Sequence, residues 1–453
     1  MSRRREPRDQ PAPDAPDHET LSFTAARNRW QRVLSALLLA GAAIVPIFIS
    51  PGADDLFRLP KQLVLYAVTI VAATLFLTGW LLGKLPLDDD ARRRLRTPAI
   101  IAAAGVAWAI LTTLTSTNRA VSVDALVWGT ALTALLVVSI YALRGVRIEF
   151  VAAAVFIPAL INAIVLTLQS FHIWNPWVFD EKTTAREMRN ALLGNPDDLG
   201  VYLAVPALFA LVLAARAPRF RALYAAVAAT LFAGLLMTQT VTAIGAYTIA
   251  ATIIAIFWHR RLGIAAAVAV PLVIVIAILT FRPTHERFSQ VLAAAGAGQW
   301  NNVVSGRVVP FAVAWQMFAD HPIAGVGPGA YKYHYMDYRL ELGERHPRIT
   351  GMALTNPMNF AEAHNDHLQL LAEMGVPGYA AVIAAIVLVG AITFRRRRAA
   401  NAEDRIARLF ALPFAVAVFI MMIAQFPLQL GAPAYTYAFL AAACLAWREL
   451  DVA

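Results

Sequence analysis

The chain has 453 residues, of which 59% are hydrophobic and only 15% charged. Its mean hydropathy of +0.59 excludes an ordinary soluble domain, and its long apolar runs lack the alternation of an outer-membrane barrel. The net charge of +10 lies in short arginine clusters between those runs, as orientation signals do, so no nucleic-acid partner is expected.

The single cysteine, Cys444, sits inside an apolar run, which excludes an intrachain disulfide and a cysteine-based metal site. Residues 1–31 are polar, Pro-rich and of mixed charge, and they lack the apolar core of a secretory signal. They read as a disordered cytoplasmic tail. Residues 32–281 then hold nine apolar spans, at about 33–50, 61–83, 97–115, 121–143, 148–169, 197–215, 221–239, 241–257 and 262–281. Each is near the roughly 20 residues that cross a bilayer as a helix. A polar insertion over 282–366 follows, then three more spans within 367–447 and a short C-terminal piece, 448–453. The expected architecture is an all-α polytopic membrane protein of about 12 transmembrane helices with a partly helical insertion.

Arginines gather on alternate connections: Arg92, Arg93, Arg94 and Arg96; Arg144 and Arg147; Arg216, Arg219 and Arg221; Arg260 and Arg261; Arg395 to Arg398. Positive charge beside a span resists transfer out of the cytoplasm, so these connections and both termini are read as cytoplasmic. The insertion then faces outward. Within it, Phe311, Val313, Ala314, Trp315 and Phe318 recur at helical spacing. Pro322 to Gly329 is rich in glycine, which suits positive φ or close backbone approach. Tyr331, Tyr333, Tyr335 and Tyr338 are suited to a lid at headgroup level or a platform for sugar.

The candidate chemistry lies where this insertion meets the tenth span. His364 is the side chain best matched to taking a proton near neutral pH. A helix starting near Ala361 or Ala363, and arginines nearby, would keep the ring neutral. A capping or solvent-exposed histidine is the other reading, and these residues alone leave both open. His364 and His367 also have the i, i+3 spacing of metal ligands, but no third ligand accompanies them, and no metal or cofactor is expected. Asn365 would cap the helix or orient the imidazole. Arginine forks suit an anionic lipid headgroup, and the outward face offers Arg186, Arg189, Arg307, Arg339, Arg345 and Arg348, with Lys61 at the start of the second span. Taken singly, each reads equally as a solvated charge or interfacial anchor. Asn195 lies in the turn Gly194-Asn195-Pro196 that opens the sixth span. Asp88-Asp89-Asp90 reads as a solvated loop, and Gly325-x-Gly327-x-Gly329 lacks the βαβ context of a dinucleotide site.

Several segments together resemble the bacterial O-antigen ligase and polymerase family, which includes the pilin oligosaccharyltransferases. They are Pro60-Lys61, Arg189 before Gly194-Asn195-Pro196, Ser305-Gly306-Arg307, Pro322 to Gly329, and His364-Asn365 followed after nine residues by Gly375-Val376-Pro377-Gly378. The resemblance implies a glycosyltransferase C-like bundle in the bacterial inner membrane, with its active site in the periplasm. It implies transfer of a glycan from undecaprenyl pyrophosphate, inverting and metal-independent, with His364 as base. Arg189 and Arg307, with Arg186 and Lys61, would clamp the pyrophosphate. An O-antigen ligase acting on lipid A core as a monomer is expected; a polymerase or a pilin oligosaccharyltransferase is the alternative. A lipid-linked glycan transporter is the reading from another class, disfavoured because the spans hold almost no charge. One departure stands out: relatives often carry Ser-Arg-Gly after the seventh span, where this chain has Thr238-Gln239-Thr240-Val241-Thr242. That arginine is absent here, or supplied by Arg186 or Arg307.

Overall fold

The computed structural model describes residues 18–175, 177, 184, 186–280, 282–345, 359–395 and 401–448. Among the described residues the regular structure is entirely helical. In chain order the helices are α1 His18–Ile44, α2 Arg58–Leu81, α3 Asp89–Thr115, α4 Arg119–Ala142, α5 Ile148–Ser170, α6 Pro196–Arg216, α7 Arg221–Thr238 and α8 Val241–Trp258. They continue as α9 Arg260–Thr280, α10 Arg282–Gly296, α11 Trp300–Val303, α12 Val308–Asp320, α13 Tyr331–Arg345, α14 Asp366–Gly390, α15 Ala402–Met421 and α16 Gly431–Trp447.

Eight of these, α2 to α8 and α14, are long and apolar enough to cross a membrane. The other four expected spans are also helices, but of different character. α1 carries a polar first half, α15 has Glu403, Asp404, Arg405 and Arg408 in its first two turns, and α16 has 17 residues. α9 runs for 21 residues, with its side chains described only in part. The expected disordered tail is corrected in one respect: α1 begins at His18, not near residue 32. From His18 to Arg32 there is no Pro or Gly to stop a helix, so it extends into the polar segment.

α6 is the axis of the bundle. Its sequence has no charged side chain between Asp198 and Arg216, so every face can be buried, and nearly all of it is. It packs against α5, α7, α8, α15 and α16. Its start is written locally. The Asn195 side chain accepts from the Asp197 N–H at 2.7 Å, Pro196 occupies the first turn, and Asp197 and Asp198 lie at the positive end of the helix dipole.

The insertion has its own small core, formed by Val309, Val313, Ala314 and Met317 of α12, Tyr331, Tyr335 and Leu342 of α13, and Ala363 and Ala372. Two expectations change here. Trp315 points out of this core at 56% exposure, and Met317 fills the place instead; Tyr331 and Tyr335 are interior residues rather than a lid. The insertion locks onto α14 where that helix is broken at Gly375, which has φ 62° and ψ −168°. A Cβ on Gly375 would stand 2.0 Å from the Ile323 carbonyl oxygen, and one on Gly325, with φ 65°, 2.3 Å from the Glu373 backbone. Only glycine allows both the conformation and the approach. Val326 and Gly327 N–H groups then donate to the Ala372 and Glu373 carbonyls at 2.9 and 3.0 Å.

Candidate active site

His364 stands just before α14, which starts at Asp366 with Asn365 as its cap; the Asn365 side chain accepts from the Leu368 N–H at 2.9 Å. Asn365 therefore caps the helix, and the helix begins later than the Ala361 or Ala363 expected. His364 adopts φ 55°, an uncommon conformation for a residue with a side chain. Ala191, Gln239 and Ser305 also have positive φ, and they lie on the segments that carry Arg189, the 238–240 turn and Arg307. Backbone strain of this kind gathers at sites that need fixed geometry.

The His364 ring lies edge to face between Phe360 and Phe426, with centroids 5.7 and 4.9 Å away. Its Nδ1 is shielded from solvent without a hydrogen-bond partner among the described residues. Burial holds its pKa down to about 4, helped by the charges of Arg307 and Arg58 and opposed by Asp197. The ring is thus a neutral proton acceptor over the physiological range.

Asp197 gathers the cations. Arg186 reaches its Oδ1 at 2.5 Å, and Arg307 reaches its Oδ2 at 3.4 Å while donating to the Ala424 carbonyl at 2.8 Å. Beside them Arg58 donates to Asp198 at 3.1 and 3.2 Å, faces Glu362 at 3.6 Å, and sits over the Phe426 ring at 5.3 Å. Arg189 lies on the same segment as Arg186; burial and the Arg186 charge lower its pKa. The structure thus brings Arg186, Arg307, Asn195 and His364 together around the start of α6. Arg58, Asp197, Glu362 and Phe426 join them, none of which sequence reasoning had chosen. The available signal for Arg58 was its place one helical turn before Lys61.

Lys61 departs from expectation. It is 3% exposed, and its ammonium donates to the carbonyls of Phe48, Phe57 and Leu192 at 2.9, 3.0 and 2.6 Å. With three donors on three carbonyls, it staples the α1–α2 loop to the segment before α6 rather than facing a ligand. His367 departs as well. Its Nε2–H donates to the Phe419 carbonyl at 2.9 Å, and its Nδ1 accepts from the Tyr379 hydroxyl at 3.2 Å. Both nitrogens are engaged, so His364 and His367 do not form a ligand pair. Among the described residues no group of three His, Cys, Asp or Glu is placed to hold a metal. Arg339 is buried at 5% exposure, Arg345 pairs with Glu341 on its own helix, and Arg348 lies outside the described residues.

The turn at 238–240 packs on the same helix start. The Thr240 hydroxyl donates to the Pro196 carbonyl at 3.0 Å, and Gln239 takes φ 57° with its Nε2 buried and without a partner among the described residues. Arg186 and Arg307 meet at Asp197, which follows the Pro196 that this turn contacts. On the other side of Asp366 lies a cavity of about 380 Å³ between α3, α4, α14 and α16, lined mainly by apolar side chains such as Ile101, Trp128 and Val382.

Residues 226–383 match the family model described as O-Antigen ligase. The matched stretch runs from α7 into α14 and contains Arg307 and His364, whereas Lys61, Arg186 and Arg189 precede it. The match supports an O-antigen ligase family protein. Among curated proteins, none matches the chain.

Proposed function

We propose that this membrane protein is an O-antigen ligase, a glycosyltransferase that moves a glycan from undecaprenyl pyrophosphate to a hydroxyl of lipid A core at the periplasmic face of the bacterial inner membrane. The observation that carries this reading is the meeting of Arg186, Arg307 and Arg58 with the imidazole of His364 at the start of α6.

In the proposed reaction, the acceptor hydroxyl attacks the anomeric carbon as the bond from that carbon to the pyrophosphate oxygen breaks. His364 takes the hydroxyl proton, and the lipid pyrophosphate leaves with the bonding electrons. Attack from the face opposite the leaving group inverts the anomeric centre. Arg307 and Arg186, with Arg189 and Arg58 beside them, stabilise the charge that develops on the leaving group. Asp197 orients the two forks that share it. The anionic donor also counteracts the arginines that depress the His364 pKa, so the base strengthens once substrate is bound. Because guanidinium groups supply the charge stabilisation, activity is expected to survive chelation. The apolar cavity beside Asp366 suits part of a long lipid chain.

The test is transfer by purified protein in lipid nanodiscs, given undecaprenyl-pyrophosphate glycan without ATP and with lipid A core, a second lipid-linked glycan or pilin. Glycosylated core supports the ligase. Elongated lipid-linked glycan or glycosylated pilin moves the reading to the polymerase or the oligosaccharyltransferase, and no transfer to any acceptor contradicts the enzyme reading.

A further inference from the structure

Asp366 follows His364 by two residues, is 1% exposed, and both of its carboxylate oxygens are in use. Its Oδ2 accepts from the Leu428 N–H at 3.0 Å and its Oδ1 from the Gln429 amide at 3.1 Å. Its own N–H donates to the Met422 and Gln425 carbonyls at 3.0 and 3.2 Å. One residue therefore ties down both ends of the 422–429 turn that joins α15 to α16.

That turn presents two groups to the site. Phe426, 2% exposed, covers one side of the His364 ring and lies beneath Arg58, while the Ala424 carbonyl anchors Arg307. The carboxylate suits the task because both contacts require an acceptor. An amide in its place would turn a donor toward Leu428 N–H or toward Gln429. Gln429 cannot simply reverse its side chain, since its Oε1 already accepts from Gln369 at 3.2 Å, and Gln369 in turn donates to Glu373 at 3.0 Å and accepts from the Ala363 N–H at 2.8 Å. The network thus also reaches back to the residue just before His364.

We propose that Asp366 is a positioning residue for the active site: by clamping the 422–429 turn it sets Phe426 against His364 and the Ala424 carbonyl against Arg307. It acts through the turn and does not touch substrate. The charged groups that face His364 are Arg307 before α12, Asp197 of α6 and Arg58 of α2, and Asp366 fixes the apolar cover among them. The inference rests on His364 being the base, but it can be tested without turnover.

The readout is the pH dependence of His364 modification by diethyl pyrocarbonate, located by mass spectrometry on the full-length protein in nanodiscs. In the wild type the ring is expected to titrate near pH 4. In Asp366→Asn and Asp366→Ala the midpoint should rise toward the ordinary 6.5 as Phe426 withdraws and water reaches the ring. Transfer should fall by roughly a hundredfold in the alanine variant, because small displacements at a reacting centre have effects of that size. Phe426→Ala should produce the same rise alone, and adding Asp366→Asn to it should add nothing. If the Asp366 variants do not fold, Gln429→Leu removes one arm of the clamp and should give a smaller rise. A folded Asp366 or Gln429 variant with an unmoved midpoint overturns the proposal, as does an additive shift in the double variant. If His364→Ala retains full transfer, the base assignment fails, while the titration still reports separately on the clamp.

Discussion

Two arginine clusters at different places in the bundle use the same residue types in different arrangements. At the start of α3, Arg144 lies between two carboxylates, Asp88 at 2.8 Å and Asp90 at 3.3 Å, and Arg94 holds both oxygens of Asp90 at 2.8 and 2.9 Å. Asp88 also caps α3, and Arg94 and Arg448 cross to α16 and α3 through backbone carbonyls. The acidic run expected to be a solvated loop is therefore a lock, in which Asp88 and Asp90 pair with Arg144 and Arg94. At the start of α6 the sharing differs: Arg186 and Arg307 converge on one carboxylate, Asp197, while Arg58 pairs with Asp198 and faces Glu362. Two guanidinium forks that share one carboxylate are suited to receive a further anion, and here they lie beside a neutral histidine.

Substitutions can break this contrast. Arg307→Ala is expected to reduce transfer by roughly 10²–10³-fold, with lysine restoring little because it lacks the planar fork; assays at saturating and limiting donor would show it. Arg144→Ala should leave transfer by the folded fraction unchanged and lower only the melting temperature. Asp197→Asn should move two properties in opposite directions, lowering thermal stability while tightening binding of inorganic pyrophosphate by calorimetry. The matching Asp88→Asn should lose stability without gaining affinity. Lys61→Met should cost roughly 3 kcal/mol of stability through three orphaned carbonyl contacts, with the donor KM of the folded protein unchanged. An increase of tenfold in that KM would return Lys61 to the clamp.

The smallest effect expected is in pH dependence. With the His364 pKa held to about 4, the acid limb of kcat/KM for the free enzyme should lie near pH 4 rather than 6.5. The sign for stability follows: between those values the unfolded chain binds the extra proton. The contribution from this group is full above about pH 6.5 and is lost as pH falls toward 4.

The eight membrane-length helices are legible because such a helix declares itself by length and apolarity, and His364 and Arg307 stand out as candidates because each sits in a short local pattern. What was not legible is which groups meet. Arg58 and Asp198 are 140 residues apart in sequence, and Arg307 and Asp197 are 110 apart. Such pairs depend on the packing of α6 and the insertion, which no local pattern records. The surroundings of Lys61 are not legible for a related reason: its partners are backbone carbonyls, and every residue type presents one. The break in α14 was half legible, since Gly375 and Pro377 mark it, but the Ile323 carbonyl that requires glycine lies on another segment. Tyr331 and Tyr335 were placed on the surface because periodicity does not say which face of a short helix an insertion buries.

The most direct test is His364→Ala, with turnover and donor binding measured on the same nanodisc preparations. The expected result is a fall in kcat of at least about a hundredfold, with donor affinity and melting temperature near wild type. A folded variant that keeps its kcat, or one that loses donor binding alone, would contradict the assignment of His364 as the base beside an arginine-lined pyrophosphate site.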